Sequence, residues 1–172
     1  SPGYDLLALV TGSEGLLGVV TEVTVKLLPT PEKAQAIMAS FDDVEKAGRA
    51  VADIIAAGII PAGLEMMDKK DINAVEQFIG AGYPMDAAAM LLCESDGSSE
   101  EVASEIQKTT EVLNKAGATE ITISSDETHR LKLWAGRKSA FPAVGRVLPD
   151  YFCMDGTIPR KTLPDVLKRI AA

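Results

Sequence analysis

Twice this chain repeats one order of signals: an apolar extended run, a capping residue with Glu three positions later, an amphipathic stripe, a glycine and a second extended run. In the first half the runs are 34–41 and 59–67. Between them Asp42 and Glu45 form a capping-box start, Val44, Ala47, Val51, Ile54 and Ile55 share one helical face, and Gly58 stands at the C′ position. In the second half the runs are 87–94 and 119–124. Ser98 with Glu101 caps a stripe of Val102, Ile106, Thr109, Leu113 and Ala116, and Gly117 stops it. Two such β-α-β halves predict an α+β fold: the split β-α-β of a ferredoxin-like sandwich, an antiparallel sheet with helices on one face.

The remaining segments decorate that frame. An extra helix is expected over 68–79, between the halves. Asp126 starts another that carries Leu131, Trp134 and Ala135 and runs to about Phe141. A strand is expected over 151–155, and Thr162 caps a last helix with Pro164 in its first turn and Val166, Leu167 and Ile170 on its apolar face. Before the halves, residues 19–28 alternate, with Val19, Val23, Val25 and Leu27 on one side and Glu22, Thr24 and Lys26 on the other, the pattern of a half-buried strand. Pro29-Thr30-Pro31 then marks a boundary, which divides the chain into 1–30 and 31–172.

Composition narrows the function classes. With 17 basic and 25 acidic residues the net charge is −8, which repels phosphate backbones and argues against a nucleic-acid partner. An apolar fraction of 47% in 172 residues excludes a disordered tail, a collagen-like repeat and a coiled coil. No apolar run approaches the ~18 residues that span a bilayer. Cys93 and Cys153, both in apolar runs, read as buried reduced thiols of a cytosolic protein, and Met66, Met67 and the run 85–92 read as core. The start at Ser1-Pro2-Gly3-Tyr4 and the end inside a helical pattern read as a piece of a longer protein.

Three clusters carry candidate chemistry. Gly12-Ser13-Glu14-Gly15-Leu16-Leu17-Gly18 precedes a strand rather than a helix, so it is neither a Rossmann fingerprint nor a P-loop. Its glycines let backbone approach a flat or anionic group, or simply form a tight turn. Arg137, three residues after Trp134, offers a planar fork for a carboxylate, or pairs at the surface. Asp155-Gly156 closes an extended run, with Asp155 as ligand or turn residue. His129, the single histidine, reads as a helix-surface residue, and no transition-metal site or base-assisted nucleophile assembles from these residues.

GSEGLLGVVTEVTVKLLP (12–29), GLEMMD (63–68), LWAGRK (133–138), AFPAVGR (140–146) and PDYFCMDGTIPR (149–160), in this order, resemble the FAD-linked oxidases of the vanillyl-alcohol-oxidase type. Within that family the likeness is nearest to flavin subunits that act on glycolate. The resemblance implies that 1–30 is the C-terminal edge of an FAD-binding domain and 31–172 the N-terminal part of a cap domain for substrate. It implies that Gly12, Ser13, Glu14, Gly15, Gly18, Val19 and Val20 run along the flavin through backbone atoms, and that Arg137 binds the substrate carboxylate. Leu16 stands where the family often has Thr. Phe141 and Cys153 stand where relatives place a threonine and a lysine on the carboxylate, so that part of the site does not carry over. The flavin pyrophosphate loop, the metal ligands and the base would lie outside these residues, leaving this piece inactive alone. The implied whole is a cytoplasmic FAD-dependent 2-hydroxyacid oxidoreductase that turns glycolate into glyoxylate. It would meet the inner membrane through partner subunits, an iron–sulfur subunit among them. D-lactate or another D-2-hydroxyacid is the alternative substrate, and a stand-alone ferredoxin-like binding or sensor domain the alternative class.

Overall fold

A computed structural model describes residues 3–171; Ser1, Pro2 and Ala172, at the two ends from which a longer parent is inferred, lie outside the described residues. The chain separates into two compact units, one up to Thr30 and one from Pro31.

The first unit holds one short helix, α1 (Leu6–Val10), capped by Asp5, whose carboxylate accepts from the Ala8 amide at 3.0 Å. A turn follows, with positive φ at Gly12 (79°), Glu14 (50°) and Gly15 (81°). The expected strand over 19–28 does not form: the segment has no strand assignment, and Val19 and Leu27 are 88% and 84% exposed. Alternation prescribes a face, but a strand also needs a hydrogen-bonded neighbour, and no described strand pairs with this one.

The second unit is built on the two predicted halves. Strands β1 (Lys33–Phe41), β2 (Gly63–Asp68), β3 (Ala89–Gly97) and β4 (Glu120–Ile123) form one sheet in the order β2-β3-β1-β4, every neighbouring pair antiparallel. Helix α2 (Val44–Ala56) connects β1 to β2 across β3, helix α3 (Lys69–Ile79) leads from β2 to β3, and helix α4 (Ser99–Lys115) connects β3 to β4 across β1. The capping box at Ser98 and Glu101 is present in both directions. At the first helix the cap sits one residue later than expected. Asp43 accepts from the Glu45 amide at 2.8 Å, while Asp42 pairs with Lys46 at 2.9 Å. Gly58 and Gly117 adopt positive φ, and the paired bonds Gly58→Ile55 and Ile59→Ile54, Gly117→Asn114 and Ala118→Leu113 make both ends Schellman motifs.

Helices cover both faces of this sheet, not one. Ile37, Ala39, Phe41, Ala89 and Leu91 pack with α2 and α4, whereas Ala36, Met38, Met90 and Leu92 pack with the opposite layer. The two central strands are apolar at successive positions, so a single helical layer would leave half of each in water. The second layer comprises α3, α5 (Glu127–Lys138) and α6 (Ala140–Val147). The expected helix over 126–141 is thus two helices: Pro142 has no amide to continue the ladder onto Lys138. The buried face of α5 is Leu133 and Gly136 rather than Leu131 and Ala135, which are exposed.

Other expectations are corrected where a partner is missing. Residues 151–155 run extended and exposed without a neighbouring strand, so Cys153 is exposed, while Cys93 on β3 is buried. Burial, reinforced by Glu105 and Glu94, pushes the Cys93 thiol up to about 12. Met67 is buried, but Met66 is half-buried and Met85 exposed. The Thr162 hydroxyl donates to Pro159 O at 2.7 Å within a 3-10 turn (Arg160–Thr162) that leads into α7 (Leu163–Ala171). Leu167 of α7 packs against Gly48 of α2, with Pro164 in the first turn as expected and Ile170 exposed.

Tyr83 ties the second layer together. Its ring is buried and its hydroxyl donates to Leu133 O. This approach exists because Gly136 has no side chain: a Cβ there would overlap the Tyr83 hydroxyl and ring. Gly136→Ala is therefore expected to cost about 1–3 kcal/mol in urea unfolding, despite alanine's better helix propensity. Unchanged or increased stability would contradict this packing.

Acid sensitivity has a definite sign. Hydrogen bonds from Ser98 hold Glu101 below its ordinary range, the His129 amide does the same for Asp126, Lys46 for Asp42 and Arg130 for Glu127. Each depressed carboxylate stabilises the fold above its unfolded value, at about pH 4, and that contribution is lost as pH falls through its folded value. Asp71, raised by burial and by Asp68, acts in the opposite sense. The melting temperature is expected to fall below about pH 4, and less steeply in Glu101→Gln; equal slopes in the two proteins would contradict the assignment.

Candidate functional site

Helix α5 starts at Asp126, whose carboxylate accepts from the His129 amide at 2.8 Å. His129 is half-buried beside Ser125 at 3.4 Å, a helix-start contact, and no group of three metal-ligating side chains occurs among the described residues. From this start, Arg130, Trp134 and Arg137 follow at i, i+4 and i+7, so all three descend one stripe toward the sheet.

Each of the three meets the sheet at β2 or β3. Arg130 donates to Glu94 of β3 at 2.6 Å and to Glu127 at 2.7 Å through Nε and Nη2. The Trp134 indole donates to the same Glu94 oxygen, and its ring lies over Gly63, where a Cβ would stand 3.0 Å from it. Gly63 is the register partner of Glu94, which explains the absent side chain. Arg137 reaches Glu65 of β2: Nε donates to Oε2 at 3.1 Å, and Nη2 stands 3.1 Å from the same oxygen.

The two arginines differ in how completely they are matched. Arg130 has two carboxylates, is 17% exposed, and is held firmly protonated by Glu127 and Glu94. It is a clamp between helix and sheet. Arg137 has one carboxylate, is 32% exposed, and has no hydrogen bond at Nη1 among the described residues.

Arg137 lines a cavity of about 420 Å³. Its other walls are Met66 and Met67 from β2, Asp71 from α3, Ala140, Phe141 and Val144 from α6, and 151–154. Burial, with Asp68 adding to it, raises the Asp71 carboxyl above its usual range against the pull of Arg137. The cavity is thus an apolar cup with one incompletely paired cation, a place for a small carboxylate with a short carbon chain. Phe141 and Cys153 belong to its wall and contribute no charge.

The glycine cluster lies in the first unit. Gly12, Ser13, Glu14 and Gly15 form the turn described above; Gly18, Val19 and Val20 continue it as exposed, extended chain. Asp155 is exposed in irregular backbone. Glu65 and Asp71 were not singled out from the sequence. Glu65 carries a signal: it alternates with Met66 and shares a strand face with buried Met67, an acidic group on a core-facing row.

The chain is 64% identical over 171 residues to the glycolate oxidase subunit GlcD of Escherichia coli, covering 99% of the chain and 34% of that protein. It is 38% identical to the Bacillus subtilis subunit of the same name, covering 98% of the chain and 36% of that protein. A D-lactate dehydrogenase of Anaerostipes hadrus is 32% identical, over 84% of the chain and 32% of its own length. The chain therefore spans about a third of the length of these relatives. Among solved structures, an alkyldihydroxyacetonephosphate synthase superposes with a TM-score of 0.71 at 18% identity, covering 99% of this chain and 36% of that one, and so shares the fold. Residues 30–172 match the family described as FAD linked oxidases, C-terminal domain, and the chain belongs to that family.

Proposed function

We propose that this chain is the substrate-facing part of an FAD-dependent 2-hydroxyacid oxidoreductase that oxidises glycolate to glyoxylate. The observation that carries the reading is Arg137: a guanidinium with its terminal edge unpaired, in an apolar cavity of about 420 Å³. A substrate carboxylate on that edge fixes the α-carbon relative to the cavity walls, which turns a random encounter into an oriented one. Met66, Met67, Phe141 and Val144 keep the surroundings poor in water and strengthen the charge interaction.

The first unit fits the cofactor that the family implies. At Gly12, Gly15 and Gly18 a Cβ would meet nothing within 4 Å, so the backbone there is bare. Gly12, Ser13, Glu14, Gly15, Gly18, Val19 and Val20 are the residues that would lie along FAD, chiefly through main-chain atoms. FAD, when bound, supplies the two-electron acceptor for oxidation of the hydroxyl carbon.

Glycolate is favoured over a larger 2-hydroxyacid by the 64% identity to a glycolate oxidase subunit. D-lactate is the second reading, supported by the D-lactate dehydrogenase at 32% identity. By the same likeness we place the protein in the cytoplasm, joined to an iron–sulfur subunit that carries electrons to a membrane acceptor; no helix among the described residues is long and apolar enough to cross a membrane.

Arg137→Lys in the full-length flavoprotein tests this reading. Lysine keeps the charge and loses the planar fork, so kcat/KM for glycolate is expected to fall about tenfold to a hundredfold while bound flavin, read from visible absorbance, stays stoichiometric. Unchanged kcat/KM, or loss of flavin, would reject it.

A further inference from the structure

We propose that Glu65 is the positioning residue for Arg137, setting which edge of its guanidinium is offered to a ligand carboxylate. The inference rests on the reading that Arg137 binds such a carboxylate.

The geometry separates the two edges. Nε donates to one oxygen of Glu65, Oε2, at 3.1 Å, and Nη2 stands 3.1 Å from the same oxygen as an ion pair. This occupies the side edge of the guanidinium and leaves Nη1, with the second hydrogen of Nη2, as a terminal fork. A free arginine side chain holds many rotamers, and ordering it on ligand binding costs affinity. Glu65 removes part of that cost beforehand, because it is fixed on a hydrogen-bonded strand: β2 pairs with β3 in a defined register, Glu65 opposite Leu92.

The neighbouring clamp shows the contrast. At Arg130 two carboxylates engage Nε, Nη1 and Nη2, so every guanidinium nitrogen already has an acidic partner. At Arg137 one carboxylate takes one edge, and the cavity lies on Arg137. Asp71, the acid that lines that cavity, makes no hydrogen bond to Arg137.

A carboxylate beside an arginine can act in two opposed ways. As a positioner it improves ligand binding; as a competitor for charge it weakens it. Two substitutions separate these. Glu65→Asp keeps the charge and withdraws it by one methylene. Glu65→Gln loses the charge and keeps an oxygen that can still accept from Nε, since a single oxygen accepts that bond now.

The test is calorimetric titration of the full-length, FAD-loaded protein with oxalate, a two-carbon carboxylate that is not a 2-hydroxyacid. It is paired with steady-state kinetics on glycolate. Positioning predicts that Glu65→Asp weakens oxalate binding about tenfold and raises KM more than it lowers kcat, while Glu65→Gln loses only about threefold. Tighter oxalate binding by Glu65→Gln, with Glu65→Asp unchanged, would overturn the proposal and make Glu65 a competitor. Arg137→Ala is the reference: if it leaves oxalate binding intact, the carboxylate site itself is misplaced and both readings fall. If Arg137→Ala abolishes binding and neither Glu65 variant changes it, only the proposal for Glu65 falls.

Discussion

The seating of α5 on the sheet is the interaction from which the site follows. Three side chains spaced i, i+4 and i+7 reach β2 and β3, and each meets a residue shaped for it: Arg130 meets Glu94, Trp134 meets Gly63 and Glu94, and Arg137 meets Glu65. Behind them Gly136 admits the Tyr83 hydroxyl to the Leu133 carbonyl. Polar groups that are part-buried in this way are costly if left single, so the set behaves as one unit. That unit places the backbone of Arg137, and the ion pair with Glu65 then orients its guanidinium.

Such seating is possible because the sheet has a second covered face. Ala36, Met38, Met90 and Leu92 supply the apolar floor on which α3, α5 and α6 rest, while α2 and α4 cover the opposite side as the repeated β-α-β halves require. The cavity forms at the margin of this second layer, where β2 is an edge strand and α6 turns away after Ser139. Packing provides the walls, and one incompletely matched cation is the charged group that our proposal assigns to the substrate carboxylate.

Much of this was legible in the residues and some of it was not, for identifiable reasons. The split β-α-β order followed from local signals: the Ser98–Glu101 box, the C′ glycines at 58 and 117, and stripes at helical spacing. The two-faced burial of β1 was also encoded, in the four successive apolar residues from Ala36 to Ala39, which do not alternate as a half-exposed strand would. Segments 19–28 and 151–155 misled because their patterns specify a strand but not its neighbour, and pairing is a non-local property. Glu65 was hidden for a similar reason. Its period-2 position marked it as facing the layer that holds α5, but its partner lies 72 positions away. Arg137 was identified by family likeness, and its physical distinction from Arg130, one carboxylate partner instead of two, emerged only from geometry.

A crystal structure of the full-length flavoprotein with oxalate bound tests the central claim most directly. The account predicts one oxalate carboxylate on the terminal fork of Arg137, Nη1 and Nη2, with Glu65 still on the side edge and the second carboxylate within the cavity that Arg137 lines. Oxalate bound at a different cation, with the Arg137 fork facing away from it, would contradict the account.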